Sequence, residues 1–352
     1  MSDAGEGATP PAEKTEPSWA HASDEELLPL RIRELGVTIE GSPLEPTIAA
    51  LHAELETKGI VFRPRFYLGT EWFSPDGTPA VAIPFFLAHP RLRRLEKAQM
   101  LEAEGDSREE CMQLLRHETG HALDHAYLLH HRREWKRLFG QSSEPASPTY
   151  RPQAYSRSFV IHLPNWYAQS HPDEDFAETF AVWLTPDLDW RAEYKGWKAL
   201  EKLEVVDRWM RGLRGRPPRV TSVRLMGEAS TLRSTLRTYY RKKRAESAQD
   251  YPDFYDADLR RLFTDDPAAA GNETASRFLR RESRAILDTL TRWTGERKYT
   301  IRDLLRDLTA RSAELGLRLR GEDSRTGVEV AAYLATLVTN YLHTGQFKRK
   351  RS

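Results

Sequence analysis

Two histidines four residues apart are the residues of this chain whose spacing best suits metal binding. His117 and His121 enclose Glu118 in the sequence HETGH, at residues 117–121. Residues four apart on an α-helix share a face, so both imidazoles can point at one metal ion, with Glu118 beside that ion. A zinc ion with three protein ligands keeps a water molecule in its fourth position and lowers that water's pKa to roughly 7. Glu118 is then placed to take the water's proton.

The residues around HETGH predict the helix that this chemistry needs. Ser107 followed by Glu110 has the form of a capping box, and no proline or glycine intervenes before Gly120. Helical periodicity continues as far as Leu128. A glycine inside a helix costs about 1 kcal/mol relative to alanine. Gly120 therefore indicates close packing or a nearby substrate backbone; the alternative is a tolerated surface glycine.

A second helix bearing carboxylates is predicted to begin after Pro172 and to end at Leu184. Glu174 and Glu178 lie four apart on one face, and the apolar residues form another. One glutamate can bind the metal while the other supports a ligand, because a metal-bound histidine usually donates its outer N–H to a carboxylate. Spacing leaves open which glutamate binds. Two solvated surface acids are the alternative to both roles.

His125 and Cys111 are the competing candidates on the HETGH helix. His125 lies four residues after His121, but three histidines in a row on one straight helix cannot easily surround one tetrahedral ion. The sequence therefore favours a carboxylate as the third ligand. Cys111 is the single cysteine, which excludes an intrachain disulfide, and it lies on a different face from His117. We expect it to be a core thiol.

The order and types of these residues resemble the Glu-zincin metallopeptidases, in which an HExxH helix is followed by a ligand glutamate on a downstream helix. HETGH followed by EDFAE, at 174–178, is similar to the anthrax lethal factor protease domain and the Mlc titration factor peptidases. The whole stretch most resembles bacterial zinc-binding metallopeptidases. The resemblance implies one Zn²⁺ bound by His117, His121 and Glu174, with Glu178 as the supporting partner.

Two further residues take expected roles from the same resemblance. These relatives carry a tyrosine seven residues before the ligand glutamate, which is Tyr167 here. A phenol can donate a hydrogen bond to the oxyanion that develops at a scissile carbonyl, although a packed loop aromatic is the alternative. Asp124, three residues after His121, also matches and is expected to brace a histidine or the helix end. The metzincin class is excluded, because it needs a histidine where this chain has Tyr127.

The predicted fold class is α+β. It consists of a small zincin-like catalytic domain, with a twisted, mostly antiparallel sheet and the active-site helix, followed by an all-helical C-terminal region. Upstream of HETGH we predict a helix over 46–58 and two extended runs, 60–68 and 79–86, joined as a hairpin by the turn at 74–77. By resemblance, residues 80–86 form the edge strand that binds an extended substrate.

Composition and the positions of glycine and proline divide the chain into five predicted parts. They are a disordered tail (1–22), the metallopeptidase domain (23–210), a linker rich in Arg, Gly and Pro (211–221), a helical domain (222–346) and a basic tail (347–352).

Helical periodicity is predicted on both sides of that linker. One helix over 190–210 closes the catalytic unit, and further helices follow over 232–244, 275–294, 301–315 and 328–342. No catalytic motif occurs in the C-terminal region. We expect it to position substrate, to bind a protein partner or to extend the core.

Charge and hydropathy limit the partners. The 352 residues include 53 Lys+Arg and 52 Asp+Glu, for a formal net charge of +1, so no global field attracts nucleic acid or acidic lipid. The basic runs at 241–244 and 348–351 are expected to be solvated rather than bound to nucleic acid. No secretory signal and no apolar stretch of about 20 residues is present, which predicts no membrane contact and a cytoplasmic location.

The sequence therefore predicts a zinc metallopeptidase that acts on a peptide or protein. One alternative is a zincin scaffold that binds zinc and a partner with little cleavage. Intact Glu118 argues against this alternative, since a purely structural site needs no base. A zinc hydrolase of a non-peptide amide is the other alternative, and it would use the same atoms.

Overall fold

The structure is a computed structural model that describes residues 16–100, 102–145, 153, 156–247, 256–321 and 323–344. This part of the chain is mostly helical and has only a two-stranded sheet, so the helices of the predicted α+β fold are present but its larger antiparallel sheet is not. The α-helices in chain order are α1 (Asp24–Leu27), α2 (Glu45–Thr57), α3 (Pro90–Met100), α4 (Arg108–Tyr127), α5 (Arg133–Leu138), α6 (Pro172–Leu184), α7 (Trp190–Glu193), α8 (Ala199–Leu213), α9 (Leu236–Ser247), α10 (Asp256–Leu262), α11 (Ala275–Thr294), α12 (Lys298–Glu314) and α13 (Asp323–Thr344). The strands are β1 (Arg65–Gly69) and β2 (Ala80–Pro84).

The sheet differs from the predicted antiparallel hairpin. Strands β1 and β2 run parallel, with Arg65 opposite Ala80. The turn at 74–77 does reverse the chain. The residue before the turn, Phe73, pairs antiparallel with Ala82 of β2, but Phe73 lies outside β1. The prediction of the turn was sound and that of the strand partner was wrong, because the chain reverses a second time between β1 and Phe73.

The predicted substrate-binding edge at residues 80–86 is blocked along β2. The N–H of Ala82 donates to the carbonyl of Phe73 (2.8 Å), and Ser74 Oγ donates to the carbonyl of Ala80 (2.8 Å). Strand β1 covers the other edge, and every residue of β2 is buried. Since an added strand needs free backbone groups, β2 does not offer this edge to a substrate at Ala80 and Ala82.

The close packing of α4 on α6 holds the two motif helices together. A Cβ atom on Gly120 would lie 2.9 Å from Cα and 3.2 Å from the carbonyl oxygen of Ala177. Phe176 and Phe180, on the same helix as Ala177, are almost completely buried in the core. Of the explanations that the sequence left open for Gly120, close packing is confirmed.

Two large hydrophobic cores contain most of the buried apolar residues described, and the division between them falls later in the chain than predicted. Leu236 and Tyr240 of α9 belong to the first core, together with α4 and α6. The second core begins at Leu259 and is built from α10 to α13. The helical region predicted from residue 222 onwards therefore contributes its first helix, α9, to the first core.

The predicted linker at 211–221 is fastened to the first core. The N–H of Gly215 donates to the carbonyl of Gly59 (3.0 Å), and the N–H of Arg219 donates to the carbonyl of Ala126 (2.9 Å). These bonds tie the segment to the ends of α2 and α4. The segment is therefore an anchored surface connection rather than a flexible linker.

Two other predictions are corrected in part. The single helix over 190–210 is two helices, α7 and α8, because Gly196 adopts a left-handed conformation (φ +81°) between them. Disorder over 1–22 is wrong for the described residues, since Trp19 is buried and its Nε1 donates to the carbonyl of Leu35 (3.0 Å). Residues 1–15 and the basic tail at 347–352 lie outside the described residues.

The basic run at 241–244 is not wholly solvated. Lys243 Nζ lies 2.6 Å from Oε1 of Glu96, a carboxylate that is almost completely buried in α3. This pair helps to dock α9 on α3. Cys111 is buried as predicted, and burial raises the pKa of its thiol to about 12.

None of the helices in the described ranges combines the length and apolar character that crossing a lipid bilayer requires.

The packing at residue 120 predicts opposite effects for two glycine-to-alanine changes. Gly120→Ala should destabilise the protein by about 1–3 kcal/mol, because the new methyl group overlaps the backbone of Ala177. Gly212→Ala in α8 meets no atom within 4 Å and should stabilise by about 0.5–1 kcal/mol. Urea unfolding measures both. A Gly120→Ala protein as stable as the Gly212→Ala control would contradict this packing.

Candidate metal centre

Helix α4 presents both histidines of HETGH towards α6. It begins after Ser107, whose Oγ accepts from the N–H of Glu110 (3.1 Å), so the N-cap half of the predicted capping box is confirmed. The helix then continues without interruption to Tyr127. His117 and His121 therefore lie one turn apart on the face that packs against α6.

Three potential ligand atoms converge between the two helices. His117 Nε2 and His121 Nε2 are 3.2 Å apart. Oε2 of Glu174 lies 3.0 Å from the first nitrogen and 3.1 Å from the second. These atoms form a nearly equilateral triangle, and it is Glu174 rather than Glu178 that faces both nitrogens.

The triangle fits the coordination shell of zinc. Ligand atoms at about 2.0–2.1 Å from a tetrahedral zinc ion lie about 3.4 Å from one another. The three separations here are only a few tenths of an ångström shorter. Two imidazole nitrogens and one carboxylate oxygen are also a donor set that catalytic zinc uses. The residues present therefore fit one Zn²⁺ held by His117, His121 and Glu174.

Glu178 supports His117 from the side away from the triangle. Its Oε1 lies 2.9 Å from His117 Nδ1, and its Oε2 accepts from the N–H groups of His162 (3.2 Å) and Leu163 (2.8 Å). A carboxylate held in this way accepts a hydrogen bond from the Nδ1–H group, which turns Nε2 towards Glu174. Glu178 is completely buried, so this orientation has no competition from solvent.

The carboxylates determine the charge of the metal-free pair of histidines. Burial alone would lower the pKa of His117, but its hydrogen bonds to Glu174 and Glu178 outweigh burial and raise that pKa to about 10. Burial also lowers the pKa of His121, but the charge and hydrogen bond of Glu174 outweigh burial and raise that pKa. Both imidazoles hold the pKa of Glu174 well below its usual range, against the effect of burial. A proton therefore occupies the triangle until a metal ion displaces it.

Glu118 is placed beside the triangle without belonging to it. The residue is buried, and its Oε2 makes no hydrogen bond within the described part of the chain. Burial raises the pKa of Glu118, while His117 and His121 act in the opposite direction. A buried carboxylate oxygen without a partner is costly, so it implies a group or solvent molecule at this position.

Tyr167 lies against the ring of His117. The two ring centroids are 5.7 Å apart, and the ring planes meet at 51°. The tyrosine belongs to a short 3-10 helix, Pro164–Gln169, that follows the loop supporting Glu178. Trp166 precedes it with a left-handed backbone (φ +53°), an uncommon conformation that fixes the direction of this loop. The structure thus brings Tyr167 to the histidine pair.

Asp124 is bonded away from the metal ligands. Its Oδ1 accepts from the N–H of His130 (2.8 Å), and its Oδ2 lies 2.7 Å from His130 Nδ1. Of the two roles expected for Asp124, the structure places it at the helix end rather than on His117 or His121. His125 lies near His130, with ring centroids 5.7 Å apart, and is absent from the triangle.

Several residues that position the site carry no signal in the sequence. The N–H groups of His162 and Leu163 that hold Glu178 are backbone groups of a loop, so residue types do not reveal them. Lys202 of α8 forms a buried ion pair with Asp175, next to Glu174, and anchors α6. Asp175 can be recognised in the sequence because it lies in the acidic stretch after Pro172, whereas nothing in the sequence marks Lys202 as its partner.

Comparison with known proteins finds no match: no protein-family model, curated protein or solved structure matches this chain. The Glu-zincin resemblance at 117–121 and 174–178 therefore stays a prediction. The geometry of the triangle is what favours a metal centre.

Exchanging each glutamate tests the ligand assignment. Glu174→Gln should abolish stoichiometric zinc binding, because it removes an anionic ligand atom from the triangle. Glu178→Gln should keep the site but weaken zinc binding by about 10–100-fold, as expected for loss of a partner that orients a ligand. Zinc content after dialysis, followed by chelator competition, measures both effects. Zinc retained by Glu174→Gln and lost by Glu178→Gln would reverse the assignment.

Zinc binding should release at least one proton. With a pKa of about 10, metal-free His117 is protonated at neutral pH, and Nε2 must lose that proton to bind a metal. The apparent zinc affinity should therefore rise about tenfold per pH unit between pH 6 and 8. Calorimetry in buffers of different ionisation enthalpy counts the protons. An affinity that is independent of pH would contradict the protonated pair.

Proposed function

We propose that this protein is a zinc-dependent metallopeptidase in which Glu118 is the general base. The observation that carries the proposal is the convergence of His117, His121 and Glu174 beside the unpaired, buried oxygen of Glu118. A structural zinc site is closed by four protein ligands and needs no base. Three converging ligands and a neighbouring carboxylate favour a catalytic site over a scaffold that only binds zinc.

Zinc and the neighbouring side chains divide the tasks of the proposed reaction between them. Zinc, when bound, supplies a Lewis acid that polarises the scissile carbonyl and acidifies a water molecule. Glu118 Oε2 takes the proton from the attacking water and delivers it to the amine nitrogen that leaves. The raised pKa of Glu118, caused by burial, makes its carboxylate a stronger base for this transfer.

Tyr167 is the proposed donor to the oxyanion. Its ring packs on His117, which keeps the phenol on the same side of α4 as the triangle. A fixed donor at a developing oxyanion is worth about 10²–10³ in kcat. The packing also orients His117, so the two roles of Tyr167 are compatible.

The exposure of the ligands gives the direction from which a substrate approaches. The side chain of His117 is 3% exposed, whereas those of His121 and Glu174 are 15% and 21% exposed. We therefore place the substrate on the His121 and Glu174 side.

Glu118→Gln and Tyr167→Phe should separate the two catalytic roles. Glu118→Gln should reduce cleavage of a peptide library by about 10²–10⁴ because it removes the base. Tyr167→Phe should reduce kcat by about 10²–10³. Both proteins should keep one zinc ion per chain. Glu109→Gln, a change of an exposed acid in the first turn of the same helix, is the matched control and should leave cleavage unchanged.

Two results would contradict the peptidase proposal. One is zinc-loaded wild-type protein that cleaves no member of the library. The other is cleavage that survives Glu118→Gln at the level of Glu109→Gln. A zinc-loaded protein that hydrolyses only small amides, with the same dependence on Glu118, would identify the non-peptide hydrolase instead.

A further inference from the structure

A cavity with an excess of positive charge lies at the C-terminal end of α4. Its volume is about 280 Å³, and its walls include four arginines, contributed by the segment after α4, by α8 and by the connection that follows α8. These are Arg132, Arg208, Arg216 and Arg219. The cavity shares no residue with the metal centre.

Only one of these arginines is neutralised. Arg208 Nη2 lies 2.6 Å from Oε1 of Glu134. Among the described residues, the side chains of Arg132, Arg216 and Arg219 form no ion pair. Burial, and then the neighbouring Arg219, lower the pKa of Arg132, whereas Glu134 and Asp124 raise it. The cavity therefore carries more cationic than anionic side chains, and three of its arginines, Arg208, Arg216 and Arg219, are exposed and can turn towards a bound anion.

Backbone contacts anchor the segment that carries Arg216 and Arg219. Tyr127 Oη donates to the carbonyl of Arg216 (2.7 Å), and the N–H groups of Arg219 and Val220 both donate to the carbonyl of Ala126 (2.9 and 3.0 Å). The connection after α8 is thus tied to the last turn of α4. A binding site built on anchored backbone loses less entropy on binding than one on a free loop.

The wall on the α8 side is also fixed. The guanidinium of Arg132 lies 5.3 Å from the centre of the Trp209 ring, which is buried. Trp209 Nε1 donates to Oε2 of Glu134 (3.1 Å), the same carboxylate that pairs with Arg208. Stacking leaves the edge of a guanidinium, with its N–H groups, available to an anion.

We propose that this cavity binds a diphosphate group, from inorganic pyrophosphate or from a nucleoside diphosphate. Three unneutralised guanidiniums match the charge of a diphosphate, and their planar forks suit phosphate oxygens. A volume below the usual range of about 300–1,000 Å³ for ligand pockets suits a small group. The site is independent of the proposed peptidase activity, and neither depends on the other being correct.

Calorimetry on the full-length protein with pyrophosphate, ADP and orthophosphate tests the proposal. Pyrophosphate and ADP should both bind, and orthophosphate should bind at least tenfold more weakly. Similar affinities for the first two mean that the diphosphate alone is recognised; tighter binding of ADP means that its nucleoside adds contacts. Orthophosphate binding as tightly as pyrophosphate would overturn the diphosphate assignment.

Two variants and a control localise the binding. Arg132→Gln and Arg219→Gln should each weaken pyrophosphate binding about tenfold or more. Arg211→Gln is the control, because Arg211 lies on α8 outside the cavity and pairs with Asp207 (3.0 Å). Absence of binding, or equal affinities in all three variants, would overturn the proposal. Diphosphate bound by a metal ion elsewhere in the protein would give equal affinities in all three variants. Thermal unfolding checks that each variant is folded.

Discussion

The absence of a side chain at residue 120 is the constraint on which the site depends. Any Cβ there would meet the backbone of Ala177, so only glycine lets α4 approach α6 this closely. The approach puts Glu174 on the inner nitrogens of the two histidines and Glu178 on the outer nitrogen of His117. One packing contact thus sets both the ligand triangle and its support. A larger separation would leave Glu178 buried without its histidine.

The charge balance of the buried site favours a bound cation. Glu118, Glu174 and Glu178 surround two imidazoles, so three carboxylates face at most two positive charges. Buried charges are costly unless they are paired, and the oxygen of Glu118 has no partner among the described residues. Two protonated histidines, or one divalent ion bound by two neutral histidines, each compensate two of the three negative charges.

Local signals in the sequence predict the helices of the site well. Ser107 caps α4, Pro172 starts α6, and the four-residue spacing puts each pair of functional side chains on one face. Contacts between distant segments are not predictable in this way. The turn at 74–77 indicates a reversal but not which strand pairs with β2, and nothing in the residues at 211–221 shows that their backbone bonds to α4. Such choices depend on packing of the whole chain rather than on neighbouring residues.

The central claim is that His117, His121 and Glu174 together bind one zinc ion. X-ray absorption at the zinc edge of the zinc-loaded protein tests it most directly, because it reports the type and distance of the ligand atoms. The account predicts a four-coordinate site with two imidazoles and oxygen ligands, all at about 2.0–2.2 Å, and no sulfur. A spectrum with one imidazole or none, or with sulfur at about 2.3 Å, would contradict it.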